Sequence, residues 1–128
     1  LLDMRSYFTI SGSPLTEAIA AHALANAPAI LGRLHETAIA NLSLLAKFML
    51  EQRERLEWAP PAGGTTCFPW LRGGRDARPL CAALAKAGVL AAPGDCFDEP
   101  AHLRVGFGAQ REGYAAALEI FGSVLRTY

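Results

Sequence analysis

Neither sign of charge dominates this chain of 128 residues: Lys and Arg together number 12, Asp and Glu together 12, and the formal net charge is zero. Without a basic field, nothing would hold a phosphate backbone or an acidic surface, so nucleic-acid binding is disfavoured. Cysteine is scarce. Cys67, Cys81 and Cys96 are odd in number and widely spaced, with no Cys-x-x-Cys pair and no histidine at a matching interval. That pattern gives no support to a metal centre or a disulfide framework, and its simplest reading is free thiols in a reducing cytoplasm. Long apolar runs are missing too, because Arg33, His35, Glu36 and Lys47 interrupt the longest helical stretch before it reaches spanning length. No glycine-rich phosphate loop is present, since neither Gly63-Gly64 nor Gly73-Gly74 stands between a strand and a helix start. The serines lie at helix caps or in helices, and His22, His35 and His102 keep no meaningful spacing to a carboxylate, so no nucleophile–base pair is legible. Leu1-Leu2-Asp3 carries no initiator methionine, charged leader or cleavage signal, and the expectation is a piece of a longer chain.

What the sequence does have is apolar content. Hydrophobic residues make up 52%, and the mean hydropathy is +0.19. A chain this short with that composition is globular, and its apolar share implies surface to be covered by a partner subunit or by more of the same polypeptide.

Taken in order, Tyr7–Ile10 is a short extended segment, and Ser13-Pro14 starts a helix that runs to about Asn26, with the Ser13 hydroxyl as cap and Glu17 in the first turn. Pro28 ends or offsets that helix. From Ile30 to about Leu56 a long periodic element places Leu31, Leu34, Ala38, Leu42, Leu45, Met49 and Leu56 on one stripe. It reads as a connecting helix roughly 40 Å long. Glu57–Ala59 and Thr65–Leu71 read as strands around a Pro-Pro-Ala-Gly-Gly turn, with Pro69 requiring an edge or a bulge. Asp76 caps a helix over 77–87 whose buried stripe is Leu80, Cys81 and Leu84 and whose stop is Gly88. A strand, a Pro93-Gly94 turn and a second strand follow. The last helix, from Gln110 to Tyr128, shows Tyr114, Leu118, Phe121 and Leu125 on one face. This order gives an α+β fold: a small, mostly antiparallel sheet with helices packed on one face, preceded by a long helix.

The second of those strands holds the residue of greatest chemical interest. Period-two alternation sends Leu103, Val105 and Phe107 to one side and Arg104 with Gly106 to the other, placing a permanent cation beside a residue with no side chain. Such a guanidinium can grip a carboxylate with two parallel hydrogen bonds. The plainer reading is a solvated or ion-paired arginine on the open side of a sheet.

Five pieces, in order and spacing, carry a resemblance: Gly63-Gly64 followed by Phe68-Pro69-Trp70-Leu71; Leu84-Ala85-Lys86-Ala87-Gly88-Val89; Pro93-Gly94; Phe97; and Leu103-Arg104-Val105-Gly106-Phe107. Together they resemble the C-terminal small domain of class I/II aminotransferases, the fold-type-I pyridoxal-phosphate enzymes. The resemblance covers residues 57–128 well and the earlier part more loosely, which implies residues 1–29 as the end of the large cofactor domain and 30–56 as the interdomain helix. It implies that Arg104 holds the substrate α-carboxylate, that Gly64 and Thr65 line the substrate pocket, and that Ser11 reaches the cofactor phosphate of a neighbouring subunit. For Ser11 and Gly64 a turn role stands beside the implied one.

The resemblance further implies pyridoxal 5'-phosphate as cofactor, an amino acid and a keto acid as substrates, a cytoplasmic homodimer, and an aminotransferase as the intact protein. The family's cofactor-binding lysine, its pyridinium-pairing aspartate and its stacking aromatic belong to the large domain, and neither Lys47 nor Lys86 stands in a matching setting. The 128 residues alone are therefore expected to be inactive. Two relatives of the reading stay open: an enzyme of the same fold with another reaction, such as cyclisation, decarboxylation or carbon–sulfur cleavage, and the aminotransferase-like effector domain of a transcription regulator. A free-standing amino-acid-binding module is a third.

Overall fold

The computed structural model describes residues 13–109 and 111–128. Two compact units divide between Arg33 and Leu34.

In the first unit, helix α1 (Pro14–Ala25) begins on Pro14, whose missing N–H costs nothing at that position. The expected cap differs. Ser13 makes no side-chain cap; its carbonyl accepts instead from Glu17 N–H at 3.0 Å and from the Thr16 hydroxyl at 2.9 Å. Asn26 closes the helix by donating from its side chain to the His22 carbonyl at 2.9 Å. No residue of α1 is buried, and Leu15, Ile19 and Leu24 stand exposed. Helix α2 (Ala27–Glu51) follows with Pro28 in its first turn, so the proline offsets one helix from the next.

The second unit holds the core. The buried residues of α2 are Thr37, Asn41, Leu45, Phe48 and Met49, with Ala38 and Leu42 packed against the core; the expected stripe holds from Ala38 onward but is broader, Leu31 and Leu34 are exposed, and Leu56 opens β1 (Leu56–Glu57) after a turn at 52–55. The burial of Asn41 has a chemical cause. Asn41 donates from Nδ2 to the Phe107 carbonyl at 3.0 Å, so the helix buries a polar side chain to tie down the end of a strand. Phe48 meets Phe121 with ring centroids 5.1 Å apart. Leu80, Cys81 and Leu84 of α3 (Arg78–Lys86) and Leu118, Phe121 and Leu125 of α4 (Tyr114–Thr127) complete the packing, on the faces their periodicity gives. Asp76 accepts from Arg78 N–H at 2.8 Å at the start of α3, and Gly88, at φ +88°, turns the chain beyond its end.

All strand pairs are antiparallel. β1 pairs β3 (Trp70–Leu71), while β2 (Thr66–Cys67) and β4 (Ala92–Pro93) flank the central β5 (Leu103–Gly106). One register links 65–71 to 101–107 throughout: Thr66 faces Gly106, Cys67 faces Val105, Trp70 faces His102, and Leu103 N–H donates to the Pro69 carbonyl at 2.9 Å. The ladder therefore needs no bulge at Pro69. The buried proline keeps the accepting half of its pair and omits the half it cannot donate.

Pro93 and Gly94 also differ from the expected turn. Pro93 lies in β4, and Gly94 opens a 3₁₀ turn over Gly94–Phe97. Gly94 does not have a positive φ; glycine is required because a Cβ would run into the carbonyl oxygens of Glu99 and His102.

Candidate functional site

The site is built on the exposed face of β5. Leu103 and Val105 are buried and Arg104 and Gly106 exposed, as the alternation requires. Ala92 lies opposite Arg104 on one flank. On the other, the constant register sets Phe68 opposite Arg104 and Trp70 opposite His102. Residues two apart on neighbouring strands thus bring the rings of Phe68, Trp70 and His102 together on one face, and Phe97 joins them from the 3₁₀ turn. Phe68 stacks on His102 at 4.7 Å, His102 lies 5.3 Å from Trp70, and Phe97 of the 3₁₀ turn meets Phe68 edge-on at 5.7 Å and 85°.

Arg104 stands at the end of this aromatic row, its guanidinium carbon 5.4 Å from the centroid of the Phe97 ring. Beside it opens a cleft of about 380 Å³ whose walls are Ala59, Pro61, Phe68 and Phe97, with Thr66 and Cys67 at the strand. A Cβ added at Gly106 would meet nothing nearer than the Thr65 carbonyl oxygen at 4.0 Å, so the face next to Arg104 is open.

Electrostatics set Arg104 apart. Asp95 is taken by Arg78 (Oδ2 to Nε, 2.5 Å), and the hydrogen bond from that guanidinium holds the Asp95 carboxyl below its ordinary value. Glu57 is taken by Arg72 at 2.8 Å and by the Trp70 indole N–H at 3.1 Å. Glu99 lies 3.5 Å from His102 Nδ1. Among the described residues, no carboxylate pairs with Arg104. Burial pushes the Cys67 thiol up to about 11, so it stays neutral on the core side of the strand.

Of the other expected site residues, two directly precede Thr66 of the cleft wall and one lies outside the described residues. Gly64, at φ +84°, and Thr65 precede β2; Thr65 accepts from Phe107 N–H at 2.7 Å, and neither residue lines the cleft. Ser11 lies outside the described residues. Sequence reasoning missed the role of Phe68, Phe97 and His102; the signal was the pairing of Phe68-x-Trp70 with His102-x-Arg104, which only the register joins.

Comparison with known proteins bears on the fold that carries this face. No family model matches the chain. Over 98% of its length it is 33% identical to capreomycidine synthase from Streptomyces vinaceus. The solved structure of the PLP-dependent cyclase OrfR superposes with a TM-score of 0.82 over 98% of the chain at 30% identity. The chain has the C-terminal fold of the fold-type-I pyridoxal-phosphate enzymes. A PLP-dependent aminotransferase from Streptococcus suis superposes equally, with a TM-score of 0.81 over 98% of the chain at 28% identity. The chain spans about a third of each relative's length, 34%, 35% and 34% in turn.

The described residues of this C-terminal portion do not fit a covalent cofactor site of their own. Lys47 is largely exposed on α2 and lies 3.9 Å from Glu51, and Lys86 is exposed in the last turn of α3. Neither reaches the cleft wall beside Arg104. What the portion does offer is a fixed cation on an open, apolar-walled face.

Proposed function

We propose that the intact protein is a pyridoxal-phosphate-dependent enzyme acting on an α-amino acid, and that this chain supplies Arg104 as the group that binds the substrate carboxylate. The observation that carries the reading is an exposed guanidinium at an apolar cleft that, among the described residues, pairs with no carboxylate. Two parallel N–H···O bonds would fix the acid group in both position and plane, and the Phe68 and Phe97 walls would reduce the water competing for it. Residues 57–128 act as the small domain, 30–56 as the connection, and 1–29 as the end of the cofactor domain. The large apolar side chains exposed on α1 support a homodimer.

Carboxylate binding serves more than one reaction. Transamination is the reading that matches the Streptococcus suis relative, and ring closure within the amino acid is the reading that matches the cyclase. Product analysis of the full-length protein with pyridoxal phosphate and a panel of amino acids separates them. Transamination yields a keto acid and requires a keto-acid acceptor for turnover; ring closure keeps the nitrogen in the product and requires none. A protein that transforms no amino acid and shows no amino-acid-dependent change in its cofactor absorption would overturn the proposal.

A further inference from the structure

The contact between Arg104 and Phe97 points to a role that deepens the carboxylate-binding reading and rests on it. An arginine that must receive a carboxylate faces a conflict. Left free, its long side chain samples many rotamers and loses that freedom on binding; held by an acid, its donors are occupied and its charge is neutralised. An aromatic face resolves this, since it attracts the cation from one side and takes up none of the five N–H donors in the guanidinium plane.

We propose that Phe97 is a positioning residue: its ring is the platform that pre-orders Arg104 for the substrate carboxylate. The guanidinium carbon stands 5.4 Å from the ring centroid, within the range of cation–π attraction. The ring is held in turn. Phe68 abuts it edge-on at 5.7 Å, and Phe68 is itself stacked on His102. The backbone carrying Phe97 is fixed at both ends of its 3₁₀ turn: Gly94 is packed against the Glu99 and His102 carbonyls, Asp95 is tied to Arg78, and Asp98 takes a left-handed conformation at φ 62°. Phe97 nevertheless remains 46% exposed, an unfavourable arrangement for a ring whose role is burial and a suitable one for a ring that presents a face.

The test uses the full-length protein with arginine side chains labelled in nitrogen-15, titrated with sodium propionate at constant ionic strength. In the unmodified protein the Arg104 Nε–H proton should resonate upfield of the other arginines, as a proton over a ring face does, and should move on adding propionate. Phe97→Leu should remove the upfield offset and weaken propionate binding about three- to fivefold, the loss of one exposed cation–π contact. Phe97→Tyr should keep both, and the KM of the full-length enzyme for its amino acid should follow the same order with kcat little changed. Absence of the upfield offset in the unmodified protein, or equal propionate affinity in Phe97→Leu, overturns the platform role. An Arg104 signal that shows the offset but ignores propionate overturns the carboxylate role instead, so the two failures are distinguishable.

Discussion

Gly94→Ala tests how the site is held in place. The added Cβ would lie 2.5 Å from the His102 carbonyl oxygen, 2.7 Å from its carbon, and closer still to the Glu99 oxygen. All three are backbone atoms, so no rotamer change relieves the contact. The Gly94 N–H bond to His102 at 2.8 Å and the Glu99 N–H bond to Gly94 at 3.0 Å would have to lengthen together. Overpacking against mobile side chains costs about 1–3 kcal/mol, and a clash with fixed backbone belongs at the top of that range. For a unit of this size the corresponding fall in Tm is more than about 10 °C. Urea denaturation followed through Trp58 and Trp70 fluorescence measures the loss, with Gly63→Ala and Gly88→Ala as references. At Gly63 an added Cβ meets nothing within 4 Å and φ is not positive, so the change should lie within about 0.5 kcal/mol of neutral. Gly88 has equal space but φ +88°, so alanine should cost about 1–2 kcal/mol of backbone strain alone. A Gly94→Ala protein as stable as Gly63→Ala would refute the close-packing argument.

Other expectations are quicker to check. Asn41→Leu leaves the Phe107 carbonyl without its 3.0 Å donor and should cost about 1–3 kcal/mol in the same denaturation assay. With an aromatic disulfide reagent near neutral pH, Cys96 should react quickly, while buried Cys67 and Cys81, both pushed up to about 11, should react only on unfolding. The Asp95 carboxyl should titrate below 3.8 by carbon-13 NMR. Because its folded pKa is depressed, its stabilising pairing with Arg78 is complete above the unfolded pKa and disappears as pH falls through the folded one; Arg78→Met should restore an ordinary midpoint.

The parts of this fold legible in the sequence are those set by a single local period. The inward faces of α3 and α4 and the alternation of β5 follow from spacing, because one side of each element is apolar and the other is not. The stripe of α2 was legible from Ala38 onward but incomplete, because Thr37 and Asn41 are polar yet buried, and the reason for Asn41 lies 66 residues away at Phe107. Pro69 read as requiring an edge or a bulge; β2 is an edge strand of its sheet, and no bulge is needed because the Pro69 carbonyl accepts where the partner strand donates. The Arg104 face was visible as a strand pattern; its aromatic row was not, since Phe68, Phe97 and His102 meet only through cross-strand register and a 3₁₀ turn. Gly94 read as half of a Pro-Gly turn, but glycine stands there because of close approach of backbone.

The central claim is that Arg104 receives the carboxylate of an amino acid. A crystal structure of the full-length protein with its amino-acid substrate or a slow analogue bound tests it most directly. The account predicts both carboxylate oxygens about 2.7–2.9 Å from Arg104 guanidinium nitrogens, in one plane with them. A carboxylate bound elsewhere, with the Arg104 cleft holding only water, would contradict it.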